Sequence, residues 1–174
     1  MRVLAVVLAL TPLVALARPI AAQQDSPASR ATLAGLPGFF VSVEDMDTAA
    51  ARVGVTSNVI ETDIKSRLQD AGIKLYGEDD FKHVLEVPQL YVNVNMLALS
   101  GAQSGLFTYN VSTEVRQAIK LARDPSITST SVTWRAPSTV GTVGSDNFYV
   151  AVRDIVRDQV DLLLSALRQT GQTH

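Results

Sequence analysis

The sequence predicts an α+β fold: a mainly antiparallel sheet of about five strands with two helices packed on one face, in the order β-α-β-β-β-β-α. Two patterns predict this fold. Apolar and polar residues alternate along residues 90–99 and 106–121, on either side of a Gly/Ser-rich turn, which is typical of an antiparallel hairpin. Apolar residues recur every three or four positions along residues 57–71 and 146–169, which is typical of amphipathic helices.

The remaining elements follow from shorter patterns. A β-prone apolar run after Pro37-Gly38 predicts a buried first strand. Gly72 stands where the first long helix should end, and a second short strand follows it directly. In the strand near the C-terminal helix, Val132 and Trp134 are expected to face inward. The shorter pieces are strands at 39–43, 73–76 and 128–135, a helical turn at 48–52, and loops at 77–86 and 136–145.

The first 22 residues have the composition of a bacterial secretory signal. Arg2 precedes an apolar run from Val3 to Ala17, and small residues continue to Ala22. Cleavage is expected after Ala22, with Ala17 as the alternative. The run is shorter than the roughly 20 residues that a membrane span needs, so an uncleaved anchor is the second interpretation. The predicted parts are a signal peptide at 1–22, a flexible tether at 23–35, one domain at 36–170 and a disordered tail at 171–174, in a periplasmic or extracellular protein.

Charge and cysteine content exclude several classes of function. The chain has 15 basic and 17 acidic residues; since two arginines lie before Gln23, the exported part has 13 minus 17, or −4. A mildly acidic domain lacks the basic surface of a nucleic-acid-binding protein, and no Lys/Arg cluster indicates a lipid-headgroup site. The absence of cysteine excludes disulfides and thiolate chemistry. We expect no nucleic acid and no cofactor, and membrane contact only if the N-terminal segment is retained.

No convincing catalytic or metal-binding set is present. The two histidines are His83, in a charged segment, and the last residue, His174. The acidic clusters at 44–47 and 78–80 lack the spacing of a calcium loop, and the glycine loop at 141–146 lacks the lysine of a phosphate-binding loop. We therefore predict no catalytic residue and no metal site. The enzymatic alternative is a hydrolase that uses carboxylates such as Asp79 and Asp80.

Polar side chains on the two hairpin strands are the best candidates for a binding surface. They alternate with the apolar residues and should therefore share the face of the sheet turned away from the helices. The export signal, the compact domain and the missing catalytic set together predict a non-enzymatic exported domain with an accessory or scaffold role. It is expected to bind another component of the cell envelope, a protein, through the polar face or a free edge of the hairpin. The non-enzymatic alternative is a membrane-anchored accessory subunit that retains its N-terminal helix. A face that simply meets water is the other interpretation. The candidate residues are Asn93, Asn95, Thr108, Asn110 and Ser112.

Two motifs carry a family resemblance: L-Y-V-N-V-N at 90–95, and T-W followed by G-T-V-G within 133–144. They resemble a family of uncharacterised exported bacterial α+β proteins of similar length. The strand-helix-strand start and the closing helix are also similar to the N-terminal domain of TolB, a periplasmic envelope protein. The resemblance implies a location in the cell envelope. Neither family pattern supplies a catalytic residue, and a shared fold alone does not establish an activity.

Overall fold

A computed structural model describes residues 25–84 and 86–171. The predicted signal peptide and residues 172–174 of the predicted tail lie outside the described residues. The helices are α1 (Pro27–Ala31), α2 (Thr48–Arg52), α3 (Ser57–Asp70), α4 (Glu78–His83) and α5 (Ser145–Gln169). The strands are β1 (Phe40–Val43), β2 (Gln89–Ala98), β3 (Leu106–Leu121), β4 (Asp124–Arg135) and β5 (Thr139–Gly144).

The five strands form one mostly antiparallel sheet, which confirms the predicted fold class. Strand β1 pairs with β2 in parallel, and β2 pairs with β3 in antiparallel fashion along its whole length. The far edge of the long strand β3 has two successive partners: β5 along Leu106–Val111 and β4 from Glu114 onward. Strands β4 and β5 therefore lie end to end beside β3, and the predicted hairpin of β2 and β3 forms the centre of the sheet.

Helices α3 and α5 cover one face of the sheet, as their apolar stripes predict. The stripe of α3 is fully buried at Ile60, Ile64 and Leu68. The alternate residues of the hairpin that face these helices, such as Val92 and Val111, are also fully buried. Burial of both apolar surfaces against each other holds the layers together. The stripe of α5 consists of Phe148, Val152, Val156, Val160, Leu163 and Leu167.

The segment predicted to be a flexible tether is folded in its described part. Helix α1 begins after Ser26, whose side chain caps it, and Leu33 is completely buried. Asp25 accepts hydrogen bonds from Trp134 Nε1 at 3.1 Å and from Arg30 Nε at 2.6 Å. The composition of 23–35 is polar, but buried Leu33 and the Asp25 carboxylate attach residues 25–35 to the core. The folded domain therefore includes residues from 25 onward and does not begin at 36.

Three shorter predictions need correction. Residues 73–76 were predicted to form a strand, but they contribute only one bridge, between Phe39 and Leu75, because the chain then turns directly into α4. The predicted loop 77–86 contains this helix. The predicted loop 136–145 contains strand β5. Its glycines weaken the sequence signal for a strand, but Gly141 pairs with Tyr109 and leaves room for the tyrosine ring.

A bulge in β4 changes the orientation of one predicted core residue. The register pairs Trp134 with Val115 but pairs Val132 with Arg116. Because Val115 and Arg116 are consecutive, their side chains lie on opposite faces of the sheet. Trp134 is fully buried on the helix side, as predicted, whereas Val132 lies on the opposite side with Arg116. The prediction that Val132 faces inward is therefore wrong.

Candidate functional site

The face of the sheet turned away from α3 and α5 is the candidate site, and we call it the open face. Among the described residues, α4 covers only one end of it, where Phe81 stacks on Phe40 with ring centroids 4.4 Å apart. The strand alternation and the register define its members. Beyond α4 its members include Ser42, Tyr91, Asn93, Asn95, Leu97, Leu106, Thr108, Asn110, Ser112, Glu114, Arg116, Val132, Arg135, Val140 and Thr142.

The structure brings all five predicted binding residues together on the open face. Asn93 lies opposite Ser112, Asn95 lies opposite Asn110, and Thr108 lies opposite Leu97. Directly paired residues of neighbouring strands lie about 5 Å apart, so the five side chains form one continuous polar patch. Within the patch, Asn95 donates a hydrogen bond from its amide nitrogen to the side-chain oxygen of Asn93.

The patch leads into a charged end beside β1. Glu44, which follows β1, accepts hydrogen bonds from the Tyr91 hydroxyl and from the Asn93 amide. These two donors hold the pKa of Glu44 below its ordinary value, with Tyr91 the larger cause. Burial, together with the nearby Glu44 carboxylate, raises the pKa of Tyr91. The Arg116 guanidinium lies over the Tyr91 ring, 3.5 Å from its centroid, and completes the cluster with a cation–π contact.

Glu114 anchors this charged end. Its side chain is only 9% exposed, and it accepts hydrogen bonds from Arg116 at 3.1 Å and from Arg135 at 2.5 Å. A buried carboxylate needs such partners, because an unpaired charge away from water is costly. The two arginines are each about one-third exposed. Arg116 and Arg135 therefore present hydrogen-bond donors at the surface, and the Glu114 carboxylate between them orients both side chains.

The opposite end of the open face is apolar and exposed. Leu97 is 64% exposed, Leu106 is 36% exposed and Val140 is 70% exposed. They surround Thr108 and Thr142, whose hydroxyl oxygens are 3.2 Å apart. Single exposed aliphatic residues are common on protein surfaces, but here three lie on one face of three adjacent strands. Along the hairpin, the open face therefore has a charged end, a centre of amide and hydroxyl groups, and an apolar end.

This arrangement suits recognition. The charged groups are paired with one another, and the central groups are neutral hydrogen-bond donors and acceptors. Among residues 25–84 and 86–171, no group of three or more His, Asp or Glu side chains could hold a metal ion. The groups on the open face can form hydrogen bonds and ion pairs and can bury apolar surface.

The carboxylates of the enzymatic alternative lie elsewhere and are exposed. Asp79 and Asp80 belong to the first turn of α4, where Asp80 accepts a hydrogen bond from the Gly77 backbone at 3.0 Å. Acids in this position stabilise a helix through its dipole and its free N–H groups. His83 is exposed in the last turn of the same helix. These residues do not converge on a concave site, as a hydrolase would require.

The other motifs also have structural roles. Asp47 caps α2 by accepting a hydrogen bond from the Ala49 backbone at 2.7 Å. Gly141 and Gly144 belong to β5, and Asp146 lies in the first turn of α5. In the first acidic cluster, only Glu44 contributes to the open face.

A groove of about 380 Å³ lies between α3 and α5, on the side of the helices away from the sheet. Two ion pairs join the helices there: Arg153 donates to Asp63 at 2.8 Å, and Arg67 donates to Asp161. Arg153 also donates to the Tyr149 hydroxyl at 2.8 Å. These two ion pairs hold the helices together across the groove, whereas Arg157 pairs with Asp154 at 3.0 Å within α5.

Sequence reasoning missed the charged end of the open face. Glu114 and Arg116 share the alternation of the predicted residues, so the same pattern could have added them. Glu44 and Arg135 could not be found in this way, because they lie far along the chain and reach the site only through the pairing of β1 with β2 and of β4 with β3.

Comparisons with known proteins leave the family open. No family model matches the sequence, and no curated protein matches it. Among solved structures, the chain is similar to a crystal structure of a minor lipoprotein from Acinetobacter baumannii, with 13% identity and a TM-score of 0.30, over 80% of this chain and 92% of that one. The resemblance to the TolB domain stays a prediction. Within the described part of the chain, no helix is long and apolar enough to cross a membrane.

Proposed function

We propose that this chain is an exported, non-enzymatic domain that binds another protein of the cell envelope through the open face. The observation that carries the proposal is the convergence of the five predicted polar residues with three exposed aliphatic side chains on one uncovered surface. The export signal predicted for residues 1–22 supports the location.

The apolar end can supply the affinity of such an interface. Leu97 and Val140 are both about two-thirds exposed, and covering each would contribute about 1–2 kcal/mol. Interfaces between proteins typically combine an apolar centre with a polar surround. The amide and hydroxyl groups beside these residues can then select a partner whose hydrogen-bonding groups match them.

The charged end can supply orientation. Arg116 and Arg135 are held in place by Glu114, so little side-chain freedom is lost when they meet a partner. Such fixed guanidinium groups suit carboxylates or backbone carbonyls. A partner that covers the whole face would therefore contact charged, polar and apolar groups in a fixed order, which favours one docking orientation.

Affinity capture tests the proposal. The exported chain is immobilised and exposed to an envelope extract of its native host, in parallel with Leu97→Asp/Val140→Asp. The control is Val150→Asp, because Val150 is 56% exposed on α5 in the helix layer. We expect a protein to be retained by the original chain and by the control, and to be lost from the double variant. Equal retention by all three, or recovery of the chain alone under several mild conditions, would contradict the proposal.

A further inference from the structure

The outer edge of β2 has a segment without a strand beside it among the described residues. Strand β1 pairs with β2 only from Gln89 to Val92. The last backbone contact on that side is from the Glu44 N–H to the Val92 carbonyl at 2.9 Å. Beyond this point, β2 continues for six residues to Ala98.

The direction of the free backbone groups follows from two hydrogen bonds. The Val92 carbonyl points toward β1, whereas the Leu99 N–H points toward β3 and donates to the Leu106 carbonyl at 2.9 Å. In an antiparallel strand, consecutive residues point their backbone groups to opposite sides. The N–H and C=O groups of Val94, Met96 and Ala98 therefore point outward, away from β3.

The cover over this edge decreases from Val94, which is buried, to Ala98. Ala98 is exposed although its side chain belongs to the helix side of the sheet, so the helix layer does not extend that far. Met96 is only partly buried, and so is Met46, which follows β1; both pack against the core. Methionine side chains adapt readily to the shape of a partner. An added strand could therefore pair with free backbone groups. Its side chains would contact Met46 and Met96 on the helix side of the sheet and the polar groups of the open face on the other side.

Charge complementarity indicates which chain would fit. The turn after β1 carries Glu44, Asp45 and Asp47, all exposed, beside Val94 at the start of the free edge. Glu44 and Asp47 already accept hydrogen bonds within the chain, but neither of those bonds comes from a cationic side chain, so both acids keep their negative charge. A strand placed in line with β1 would meet these acids with its nearest end, and a basic residue there would be attracted. The edge of β5 has no comparable acidic turn in the described chain.

We infer that the outer edge of β2, from Val94 to Ala98, accepts an extended segment of the partner protein as an additional strand, with alternating apolar residues and a basic residue at the end beside the acidic turn. The inference rests on the proposed function and specifies the class of partner. Backbone pairing of this kind supplies affinity, and the alternating side chains supply specificity.

A peptide titration followed by NMR tests the inference on the exported chain. The probe is a synthetic peptide of alternating valine and threonine with lysine at both ends; a matched peptide carries glutamate at both ends. We expect the lysine peptide to slow amide hydrogen exchange at Val94, Met96 and Ala98, since only these amides gain an acceptor. We also expect it to bind several-fold more tightly than the glutamate peptide.

Proline substitutions provide the matched variants. Met96→Pro removes an outward N–H without removing a bond to β3, and Ala98→Pro does the same at an exposed position. Each is expected to weaken peptide binding about tenfold, the effect of one lost hydrogen bond together with the bulk of the ring. Gly144→Pro is the control, because its N–H also points outward from β5 and its φ of −65° suits proline; it is expected to leave peptide binding unchanged.

Three results would overturn the inference: no slowed exchange at about 1 mM peptide, slowed exchange only at β5, or equal affinity for the two peptides. These outcomes are separate from failure of the proposed function. If Leu97→Asp/Val140→Asp loses the envelope protein while Met96→Pro retains it, the open face binds a partner and the added strand is wrong.

Discussion

Thr113 of β3 donates its hydroxyl to the side-chain oxygen of Gln159 in α5 at 2.7 Å, and both side chains are buried. The amide nitrogen of Gln159 donates in turn to the carbonyls of Val111 at 3.2 Å and Pro137 at 3.1 Å. One helix side chain therefore joins α5 to the central strand and to the connection between β4 and β5. This contact ties the helix to the sheet on the face opposite to the open face.

Replacing this glutamine is expected to destabilise the fold. Gln159→Leu keeps an apolar side chain of similar size but leaves the Thr113 hydroxyl and two carbonyls without their partner. The free energy of unfolding should fall by about 2–3 kcal/mol, because a buried polar group left unsatisfied costs its full desolvation. Urea unfolding measures the change. The double variant Thr113→Val/Gln159→Leu should lose less unfolding free energy than the sum of the losses of the two single variants. A loss equal to that sum would contradict a direct interaction between the two side chains.

Gly141 is required for the packing of Tyr109. A Cβ at position 141 would overlap the Tyr109 hydroxyl and the ring carbon that carries it. The ring also packs against Phe148, with centroids 6.3 Å apart, so it cannot move away freely. We expect Gly141→Ala to lower the unfolding free energy by about 1–3 kcal/mol.

The control for this prediction is Gly144 in the same strand. A Cβ there meets no atom within 4 Å, and its φ of −65° suits any residue. Gly144 is also the N-cap of α5, where alanine is less favourable than glycine, so Gly144→Ala should lower the unfolding free energy by about 0.5 kcal/mol, less than Gly141→Ala. Thermal unfolding of both variants measures this difference. Similar losses of unfolding free energy for the two variants would show that the Tyr109 ring can move away from a Cβ at position 141 at no cost.

Asp25 is expected to make stability depend on acid pH. Its hydrogen bond from Arg30 is the larger cause that lowers its pKa from the ordinary value of 3.8, and the Trp134 contact adds to this effect. A lowered pKa means that the folded state favours the ionised form. Its contribution is therefore complete above about pH 4 and is lost as the pH falls through the lowered pKa.

Asp25→Asn provides the test. At pH 7 we expect it to lower the unfolding free energy by about 1 kcal/mol, and the difference from the original chain should shrink as the pH falls through the lowered pKa of Asp25. Urea unfolding at several pH values measures it. A difference that is constant with pH would mean that the charge of Asp25 does not matter to the fold.

The N-terminal segment should matter to stability as a whole. A chain that begins at residue 36 loses Leu33, which is completely buried, and both hydrogen bonds of Asp25. We expect it to unfold about 3 kcal/mol more easily than a chain that begins at Gln23, since burial of a leucine alone contributes about 2 kcal/mol. Equal urea midpoints for the two chains would mean that 25–35 is dispensable.

The centre of the fold could be predicted because its signals are local. The alternation of Asn93 and Asn95 with Val92 and Val94 determined which residues face the helices, and the short turn determined the register of the hairpin. Strand β5 could not be predicted, because two of its six residues are glycines and its partner Tyr109 lies 32 positions earlier. A pattern within one segment does not contain such a contact.

The candidate site was predictable to the same extent. Its central polar row lies on one hairpin and follows from period-two alternation alone. The ion pair of Glu114 with Arg135 joins two strands and could not be predicted from the pattern within either one. The bulge beside Trp134 determines which β4 side chains lie on the open face, and the alternation within β4 does not reveal it. The tether was misjudged because a polar composition does not show that Asp25 meets Trp134, 109 positions away.

Photo-crosslinking from the open face tests the central claim most directly. A benzoylphenylalanine is placed at Asn95 in the middle of the open face or, as the control, at Leu162, which is 41% exposed on α5. Each chain is illuminated in an envelope extract of the native host. If the open face binds a partner, a discrete protein adduct should form from position 95 and not from position 162; adducts from 162 alone, or from neither position, would contradict the account.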